Sequence, residues 1–307
     1  MEARLVVVDP DGGRDVHRRD EHETLGDARL VDRRLHVVCD ADELTPPLGV
    51  ERSVDGVRDH WQMNLGLEGS VCVVTGGSRG IGAATARMLS QEGARVLTVA
   101  RHSADVELDV TAPDAGERLL DACSEPPWAL VNSAGTSHAR PLDELTDADW
   151  QQQWELHVMG PMRLMRALGP VMAAAGGGRI VNVSSSSGRR PSRRLDASYS
   201  VTKAAQLSLS RVFADVFAPQ GVLVNTVTPG AVEGELWTGE GGLADQIAAR
   251  TGSSREDVLA ATRSSPPLGR MGSDDEVAAV ITFLCSERAS NVTGAAWAVD
   301  GGSVPTV

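Results

Sequence analysis

The chain contains one tyrosine and one lysine, Tyr199 and Lys203, which stand four residues apart. They fall in a helix-compatible stretch, where a spacing of four places two side chains on one face. A tyrosine is a poor acid or base near neutrality because its ordinary pKa is about 10. A neighbouring ammonium stabilises the phenolate and moves that pKa toward neutral pH. The pair therefore predicts a phenol that exchanges a proton with a bound molecule.

Four consecutive serines, at residues 184–187, end an apolar run that begins at residue 179. In open α/β folds, ligands bind beyond the carboxyl ends of the strands. The run therefore brings hydroxyl groups to that edge of the predicted sheet, and the residue pattern alone leaves open which hydroxyl serves the tyrosine.

A glycine-rich turn follows the apolar run at residues 71–75 and precedes a helical pattern. Its glycines, among them Gly76, Gly80 and Gly82, let the backbone turn tightly and approach a pyrophosphate. The helix that follows offers free N–H groups and the positive end of its dipole to that anion. A plain tight turn is the alternative, but the strand–loop–helix context favours dinucleotide binding.

The end of the second apolar run, residues 95–100, distinguishes NAD from NADP. NAD-specific sites place a carboxylate there, which binds the ribose 2′-hydroxyl. This chain has Arg101 and His102 after Ala100, with no acid. Arg79 in the glycine loop and Arg101 supply guanidinium groups for a 2′-phosphate. The sequence therefore predicts NADP(H) in preference to NAD(H).

These residues need a sheet that brings the ends of separate strands to one edge. Short apolar runs alternate with helical patterns across residues 68–307, and such runs suit strands covered on both faces. The alternation predicts βαβ units with right-handed crossovers, hence an α/β, doubly wound, mostly parallel sheet of seven strands. The gap between the second and third runs is too short for a helix, which predicts one truncated crossover. The predicted strands are residues 71–75, 95–100, 106–110, 128–132, 179–184, 222–227 and 295–300.

Residues 1–67 differ in character, with short candidate strands at residues 4–9 and 35–40 and no catalytic motif. A segment of about 67 residues forms a marginal core by itself. We expect a short appendage that packs on the main domain or on a partner subunit. An over-long start of the chain is the alternative.

Composition narrows the class of protein. The chain has 307 residues, of which 41% are hydrophobic, and a net charge of −13. This charge argues against a nucleic-acid partner, because phosphate binding needs basic surface. No apolar run reaches about 18 residues, so no membrane span is predicted. The first residues do not form a signal peptide, and the four cysteines form no CxxC pair, which predicts a cytoplasmic protein with reduced thiols and no metal site.

The TGxxxGxG loop and the Tyr-x-x-x-Lys pair resemble the short-chain dehydrogenase/reductase family. The resemblance covers residues 68–307 and implies a single Rossmann domain that transfers a hydride between nicotinamide C4 and a carbonyl carbon. Residues 267–272 and 300–302 resemble the 3-oxoacyl-carrier-protein reductase branch. Sugar-nucleotide epimerases have a different glycine spacing.

The resemblance also implies roles. Tyr199 would give the proton to the carbonyl oxygen, and Lys203 would also hold the nicotinamide ribose. The pattern Asn-x-Ser-Ser-x-x-Gly at residues 182–188 selects Ser185 to hydrogen-bond the carbonyl oxygen, whereas the commoner spacing from the tyrosine selects Ser186. The implied cofactor-binding residues are Gly76, Ser78, Arg79, Gly80, Ile81, Gly82, Arg101, Asp109, Val110, Asn132, Ala134, Gly135, Tyr199, Lys203, Pro229, Gly230 and Val232.

Two positions depart from the family pattern. His157 stands where many relatives have a catalytic Asn that holds a water in a proton relay to Lys203, and we include it among the catalytic residues. An imidazole can take that role but titrates near pH 6.5, which would add a pH switch. A histidine tolerated at a helix position is the alternative. Gly234 stands where the family usually has the Thr that holds the nicotinamide carboxamide, and Thr238 is nearby but displaced.

Residues 233–266 are, by resemblance, the substrate lid. They contain Trp237, which lines either the pocket or the core, and a predicted helix capping box from Ser253 to Glu256. Four arginines within residues 189–194 could receive an anionic substrate tail. A solvated loop or a subunit contact is the more usual reason for such a run.

Together these features predict an NADP(H)-dependent reductase or alcohol dehydrogenase of a small-molecule carbonyl or alcohol, such as a 3-oxoacyl thioester or a small ketone. The alternative is a catalytically weak NADP(H)-binding protein with a regulatory or structural role. By resemblance the protein is a homo-oligomer, either a tetramer or a dimer.

Overall fold

Two compact units divide the chain, Met1–Val50 and Glu51–Val307. The computed structural model describes residues 64–305 and four two-residue strands before them. Strands β1 and β2 pair antiparallel in the first unit. The four short strands are β1 (Val7–Val8), β2 (Arg14–Asp15), β3 (Val50–Glu51) and β4 (Gln62–Met63).

The predicted features of residues 1–67 meet the structure at a few points. Strand β1 lies within the predicted strand at residues 4–9, whereas the strand predicted at residues 35–40 lies outside the described residues. Leu67 is buried in the core of the main domain, and the Leu65 carbonyl accepts a hydrogen bond from the Glu287 amide at 3.0 Å. The main domain therefore begins before the predicted boundary at residue 67.

Seven parallel strands form the central sheet of the second unit. They are β5 (Val71–Thr75), β6 (Arg95–Ala100), β7 (Val106–Glu107), β8 (Ala129–Asn132), β9 (Gly178–Val183), β10 (Val222–Pro229) and β11 (Ala296–Val299). Their order is β11-β10-β9-β8-β5-β6-β7, so the winding reverses between β5 and β8. This order confirms the predicted doubly wound Rossmann fold. The predicted truncated crossover is also confirmed, since only residues 101–105 join β6 to β7.

Helices cover both faces of the sheet. They are α1 (Gly80–Gln91), α2 (Ala115–Ala122), α3 (Asp147–Trp154), α4 (Gly160–Ala174), α5 (Ala197–Phe217), α6 (Glu235–Thr238), α7 (Leu243–Thr251), α8 (Arg255–Ser264) and α9 (Asp274–Cys285). Leu89 of α1 and Ile281 of α9 belong to the core on one face. Leu119, Leu168 and Phe217, from α2, α4 and α5, belong to the core on the other. Within the part of the chain that the structure describes, no helix is long and apolar enough to cross a bilayer.

The predicted lid folds as three short helices, α6, α7 and α8, with a small apolar core of their own. Leu243 and Ile247 of α7 pack in this core against Val258 and Leu259 of α8. The predicted capping box at α8 is off by one residue. Ser254, not Ser253, caps the helix, and its side chain accepts a hydrogen bond from the amide three residues later.

Candidate active site

A cleft of about 1520 Å³ opens at the carboxyl edge of the sheet, beside the reversal between β5 and β8. Open α/β sheets bind ligands at this point. Nearly all of the predicted site residues line it, from the glycine loop to Pro229, Gly230 and Val232. Asn132 and His157 do not, and both are buried behind its wall.

The glycine-rich turn from the end of β5 into the first turn of α1 is packed so closely that Gly76 and Gly82 have no room for a side chain. Gly76 has φ +66°, and a Cβ there would lie 2.9 Å from the Ala134 backbone. A Cβ on Gly82 would lie 2.2 Å from the Gly76 carbonyl oxygen. At the start of α1, the Arg79 side chain makes no capping hydrogen bond and the first turn holds no acid. The amides there are therefore available to an anion such as a pyrophosphate.

Thr75 fixes the loop that faces these glycines, and the sequence analysis missed it. Its hydroxyl donates to the Val131 carbonyl at 3.3 Å and accepts from the amides of Ser133 and Ala134 at 3.1 and 3.2 Å. The strands β5 and β8 are thereby joined where they end at the cleft. The sequence signal that could have identified Thr75 is its position at the end of an apolar strand, directly before the first glycine of the loop.

Asn132 braces the sheet from inside. Its amide donates to Asn182 Oδ1 at 2.8 Å, and the Asn182 amide in turn donates to Ser210 Oγ at 2.8 Å. This chain of bonds connects β8, β9 and α5, behind the cleft. Asn132 was predicted as a cofactor-binding residue, but its side chain lies behind the cleft and does not line it.

Ser185 and Tyr199 both line the cleft, and the Ser185 hydroxyl acts on the phenol as a hydrogen-bonding partner that lowers its pKa. Tyr199 stands in the first turn of α5, and Ser185 caps the 3₁₀ turn Ser186–Gly188, accepting from the Ser187 amide at 3.1 Å. Among the four serines of residues 184–187, the geometry thus places Ser185 next to the phenol. Burial raises the pKa of Tyr199, and the bond to Ser185 acts against that rise. The chain alone therefore does not supply the lowered pKa expected from the sequence.

Lys203 lies one helical turn after Tyr199, with its Nζ 5.8 Å from the phenol ring centre. Its Nζ donates to the Val183 carbonyl at 2.7 Å and to Gln206 Oε1 at 3.3 Å. The partners are neutral, and burial lowers the pKa of Lys203 to about 7. The amine can therefore gain or lose a proton near neutral pH. Gln206 is a second residue that sequence reasoning missed, although it lies on the same helix face.

His157 lies in the π-helical turn Glu155–Met159 between α3 and α4 and is fully buried. Its Nδ1 is 3.0 Å from Thr202 Oγ1. Because the Thr202 hydroxyl bonds to the Ser198 carbonyl at 2.8 Å, the ring donates from Nδ1. Nε2 then accepts from the Thr136 amide at 3.4 Å. Both ring nitrogens are committed to fixed groups of the protein.

Burial, together with the charge of Lys203, holds the pKa of His157 well below its ordinary value. The ring is therefore neutral at physiological pH, and the predicted switch near pH 6.5 is wrong. The imidazole packs edge-on against the ring of Tyr199, with 5.4 Å between the ring centres. The geometry makes His157 a neutral side chain that packs behind the phenol of Tyr199.

The chain resembles known proteins in sequence and in fold. Residues 76–304 match a family model described as enoyl-(acyl carrier protein) reductase. The 3-oxoacyl-carrier-protein reductase of Vibrio cholerae is 31% identical over 78% of this chain and 98% of its own length. The chain belongs to the short-chain dehydrogenase/reductase family. The resemblance found in its motifs is thereby confirmed.

Two further short-chain dehydrogenase/reductase matches cover more of the chain. Protein FixR of Bradyrhizobium diazoefficiens is 36% identical over 84% of this chain and 94% of its own length. The structure of L-sorbose reductase from Gluconobacter frateurii, complexed with NADPH and L-sorbose, matches with a TM-score of 0.73 and 32% identity. That match covers 80% of this chain and 100% of the reductase. The two relatives that are named as reductases act on carbonyl compounds.

On the cofactor side of the rim, Arg79 pairs with Glu235 of α6 at 3.0 Å, and both side chains are more than half exposed. Arg101 is exposed and lines the same part of the cleft. The predicted 2′-phosphate ligands thus lie at one end of this short-chain dehydrogenase/reductase cleft. Arg79 also contacts the predicted lid, through its ion pair with Glu235.

The departure at Gly234, at the start of the lid, is visible in the structure. Gly234 caps α6 and brings no hydroxyl to the cleft. The Thr238 hydroxyl donates to the Gly234 carbonyl at 3.1 Å, so it stays on its own helix and does not line the cleft. Trp237 lines the cleft and also packs on the lid core, which unites the two alternatives for its role.

Proposed function

We propose that this protein is an NADP(H)-dependent oxidoreductase that transfers a hydride between nicotinamide C4 and the carbonyl carbon, or secondary alcohol, of a small molecule. The observation that carries the proposal is that two hydroxyl side chains, Ser185 and Tyr199, line one cleft and that Ser185 acts on the pKa of the phenol. The pair lies in the same cleft as the glycine loop. Two hydroxyl groups beside a nucleotide cradle suit a reaction in which charge develops on one substrate oxygen.

In the direction of reduction, Ser185 and Tyr199 donate hydrogen bonds to the carbonyl oxygen. As negative charge develops on that oxygen, Tyr199 gives up its proton to form the alcohol. The ammonium form of Lys203, whose pKa is about 7, stabilises the phenolate that remains. NADPH, when bound, supplies the hydride. Oxidation of an alcohol uses the same groups in reverse.

The residues at the cofactor end fit a dinucleotide. The uncapped start of α1 and the backbone of the glycine loop would hold the diphosphate, and this close backbone packing has no room for a Cβ at Gly76 or Gly82. Family resemblance assigns Asp109 and Val110 to the adenine ring. The resemblance places Pro229 and Gly230 beside the nicotinamide. The remaining implied cofactor-binding positions are Ala134, Gly135 and Val232.

Preference for NADP(H) rests on Arg79 and Arg101, because no acid ends β6 where a ribose 2′-hydroxyl would be bound. Arg101→Ala should raise the KM for NADPH by about tenfold, the effect of losing a charge-assisted hydrogen bond, and leave that for NADH unchanged. Arg118→Ala on exposed α2 is the matched control. An enzyme that prefers NADH, or an Arg101→Ala variant with no loss, would contradict the preference.

The function is tested by following the loss of reduced-nicotinamide absorbance over a panel of ketones, ketoses and 3-oxoacyl thioesters. Ser185→Ala should lower kcat/KM by about a hundredfold if its hydroxyl stabilises the developing oxyanion. Ser186→Ala is the matched control one residue away and should lie within a few-fold of the wild type. Equal losses in the two variants would overturn the role of Ser185.

A second candidate function is a catalytically weak NADP(H)-binding protein with a regulatory or structural role. Gly234 favours this candidate, because it has no hydroxyl at the position from which the family binds the nicotinamide carboxamide. Thr238 does not replace that hydroxyl, since its own hydroxyl donates to the Gly234 carbonyl. Tight NADPH binding without turnover of any carbonyl in the panel would select this candidate. The predicted homo-oligomer stays a prediction, and sedimentation of the full chain tests it.

A further inference from the structure

Three arginines stand at the mouth of the cleft, in the loop between Ser185 and Tyr199. Arg190, Arg193 and Arg194 all line the cleft, and all three are exposed. They lie at the substrate end, on the segment that joins the two hydroxyl groups of the proposed reaction. An arginine is charged at any physiological pH, so this end of the cleft carries three fixed positive charges.

The backbone of this loop is held in place. The Arg190 amide donates to the Ser186 carbonyl at 2.9 Å, and the Ser192 amide donates to Ser200 Oγ at 3.4 Å. On the lid side, the guanidinium of Arg250 donates to the Arg194 carbonyl at 3.3 Å. The three side chains are therefore presented from a loop that is fastened to the catalytic wall and to α7.

Among the described residues, no carboxylate pairs with these arginines. Within residues 64–305, none of the three makes an ion pair with a carboxylate, although the chain as a whole has net charge −13. The lid arginines nearby differ, since Arg255 pairs with Asp245 at 2.8 Å and Arg263 with Glu233 at 2.6 Å. Three like charges this close in sequence repel one another, and an anion between them removes that repulsion.

We propose that Arg190, Arg193 and Arg194 form a subsite for an anionic group on the substrate, a carboxylate or a phosphate monoester, several bonds away from the reacting carbonyl. Guanidinium groups bind both anions through paired hydrogen bonds. The proposal rests on the proposed function, because it places the anion at the far end of the substrate that Ser185 and Tyr199 reduce.

Two matched pairs of ketones test the subsite. The first pair is 4-oxocyclohexanecarboxylate and its methyl ester, and the second is 4-(hydroxymethyl)cyclohexanone phosphate and the free alcohol. The full chain should reduce at least one anion with a kcat/KM about tenfold or more above its neutral partner. The pair that shows the preference distinguishes carboxylate from phosphate. Higher salt should reduce it, because the arginines are exposed.

The double variant Arg193→Ser/Arg194→Ser should bring the ratio of anion to neutral ketone close to one, mainly through KM. Arg166→Ser is the control, since Arg166 is an exposed arginine on α4 that does not line the cleft, and it should leave the ratio unchanged. Calorimetry of each anion with the protein and NADP⁺ gives a readout that does not need turnover. It should show binding that the double variant loses and the control keeps.

The outcomes separate the two proposals. Neutral ketones reduced as well as both anions, with Ser185→Ala still inactive, overturn the subsite and leave the proposed function standing. Anion binding lost in the double variant, with no turnover of any ketone, supports the subsite and overturns the proposed function. Anions that bind no better than their neutral partners, or that bind the double variant equally well, overturn the subsite whatever the turnover.

Discussion

The wall and the rim of the cleft are built in different ways. The wall consists of backbone and buried side chains, such as Gly76, Gly82 and Lys203, with no room for change. The rim consists of exposed charged side chains and of the lid helices, which have their own small core. The Arg79–Glu235 pair joins the cofactor side of the rim to the lid through solvent-exposed groups.

This difference separates chemistry from selectivity. Groups that hold or move a proton need fixed positions and a low-dielectric setting, which burial provides. Groups that choose a substrate or cofactor anion work from the surface, where each contact is weaker and is screened by salt. Substitutions in the wall should therefore have large effects that salt does not change, and substitutions in the rim should have smaller ones.

The largest effect is expected at Gly82. A Cβ in Gly82→Ala would lie 2.2 Å from the Gly76 carbonyl oxygen, so the glycine loop must move. NADPH binding, measured by fluorescence titration, should weaken by about a hundredfold or more as the loop loses its fit to the diphosphate. Gly272→Ala, whose Cβ would meet its nearest atom at 3.7 Å, is the control and should stay within about twofold. Equal NADPH affinity in both variants would contradict the claim that the wall of the cleft tolerates no change.

The buried amine of Lys203 should make stability depend on pH. Burial lowers its pKa from 10.5 to about 7, so above pH 7 the unfolded chain binds a proton that the folded chain lacks. Stability therefore rises with pH from about 7 toward 10. Between pH 7 and pH 9, the free energy of unfolding should rise by about 2 kcal/mol more in the wild type than in Lys203→Met.

Urea unfolding at the two pH values measures this difference, and the other titrating groups are common to both proteins. Parallel curves for the two proteins would show that the amine keeps its ordinary pKa. Lys203 would then behave electrostatically like an exposed side chain of the rim.

A moderate effect is expected at His157. Its ring is neutral and both nitrogens are bound to fixed groups of the protein, so we expect it to position Tyr199 and not to exchange a proton. His157→Asn should lower kcat by less than about tenfold and leave the acid limb of the pH–rate profile where it is. If the acid limb of the pH–rate profile moves in His157→Asn, the proton-relay role of His157 is supported instead. Thr202→Val, which removes the other half of the same hydrogen bond, should resemble His157→Asn.

The smallest effect is expected at the rim. Glu235→Gln breaks an exposed ion pair with Arg79, which should change the free energy of unfolding by less than about 0.5 kcal/mol. The freed guanidinium should lower the KM for NADPH by about twofold at low salt, and high salt should remove the gain. A large loss of stability in thermal melts would show that this contact holds the lid in place.

Much of the fold follows from the sequence because its signals are local. The apolar strands, the glycine loop and the short connection between β6 and β7 are each written in a few adjacent residues. The start of the main domain is not, since Leu65 and Leu67 are fixed by contacts with a segment more than 200 residues later. A composition shift cannot reveal such a contact.

The site shows the same limit. Counting residues could not separate Ser185 from Ser186, because a 3₁₀ turn follows and sets which hydroxyl faces Tyr199. The neutral state of His157 depends on burial and on Thr202, which lies in another helix. Asn132 reads as a cofactor residue in sequence, yet its amide bonds to Asn182 inside the sheet.

The most direct test of the central claim follows deuterium from C4-deuterated NADPH into the alcohol product, in the wild type and in Tyr199→Phe. Tyr199 is the chain's only tyrosine, so the variant removes its only phenol. We predict label on the carbinol carbon in the wild type, and transfer slower by about a hundredfold or more in the variant. Transfer at the same rate in both proteins would contradict the claim that this phenol gives the proton.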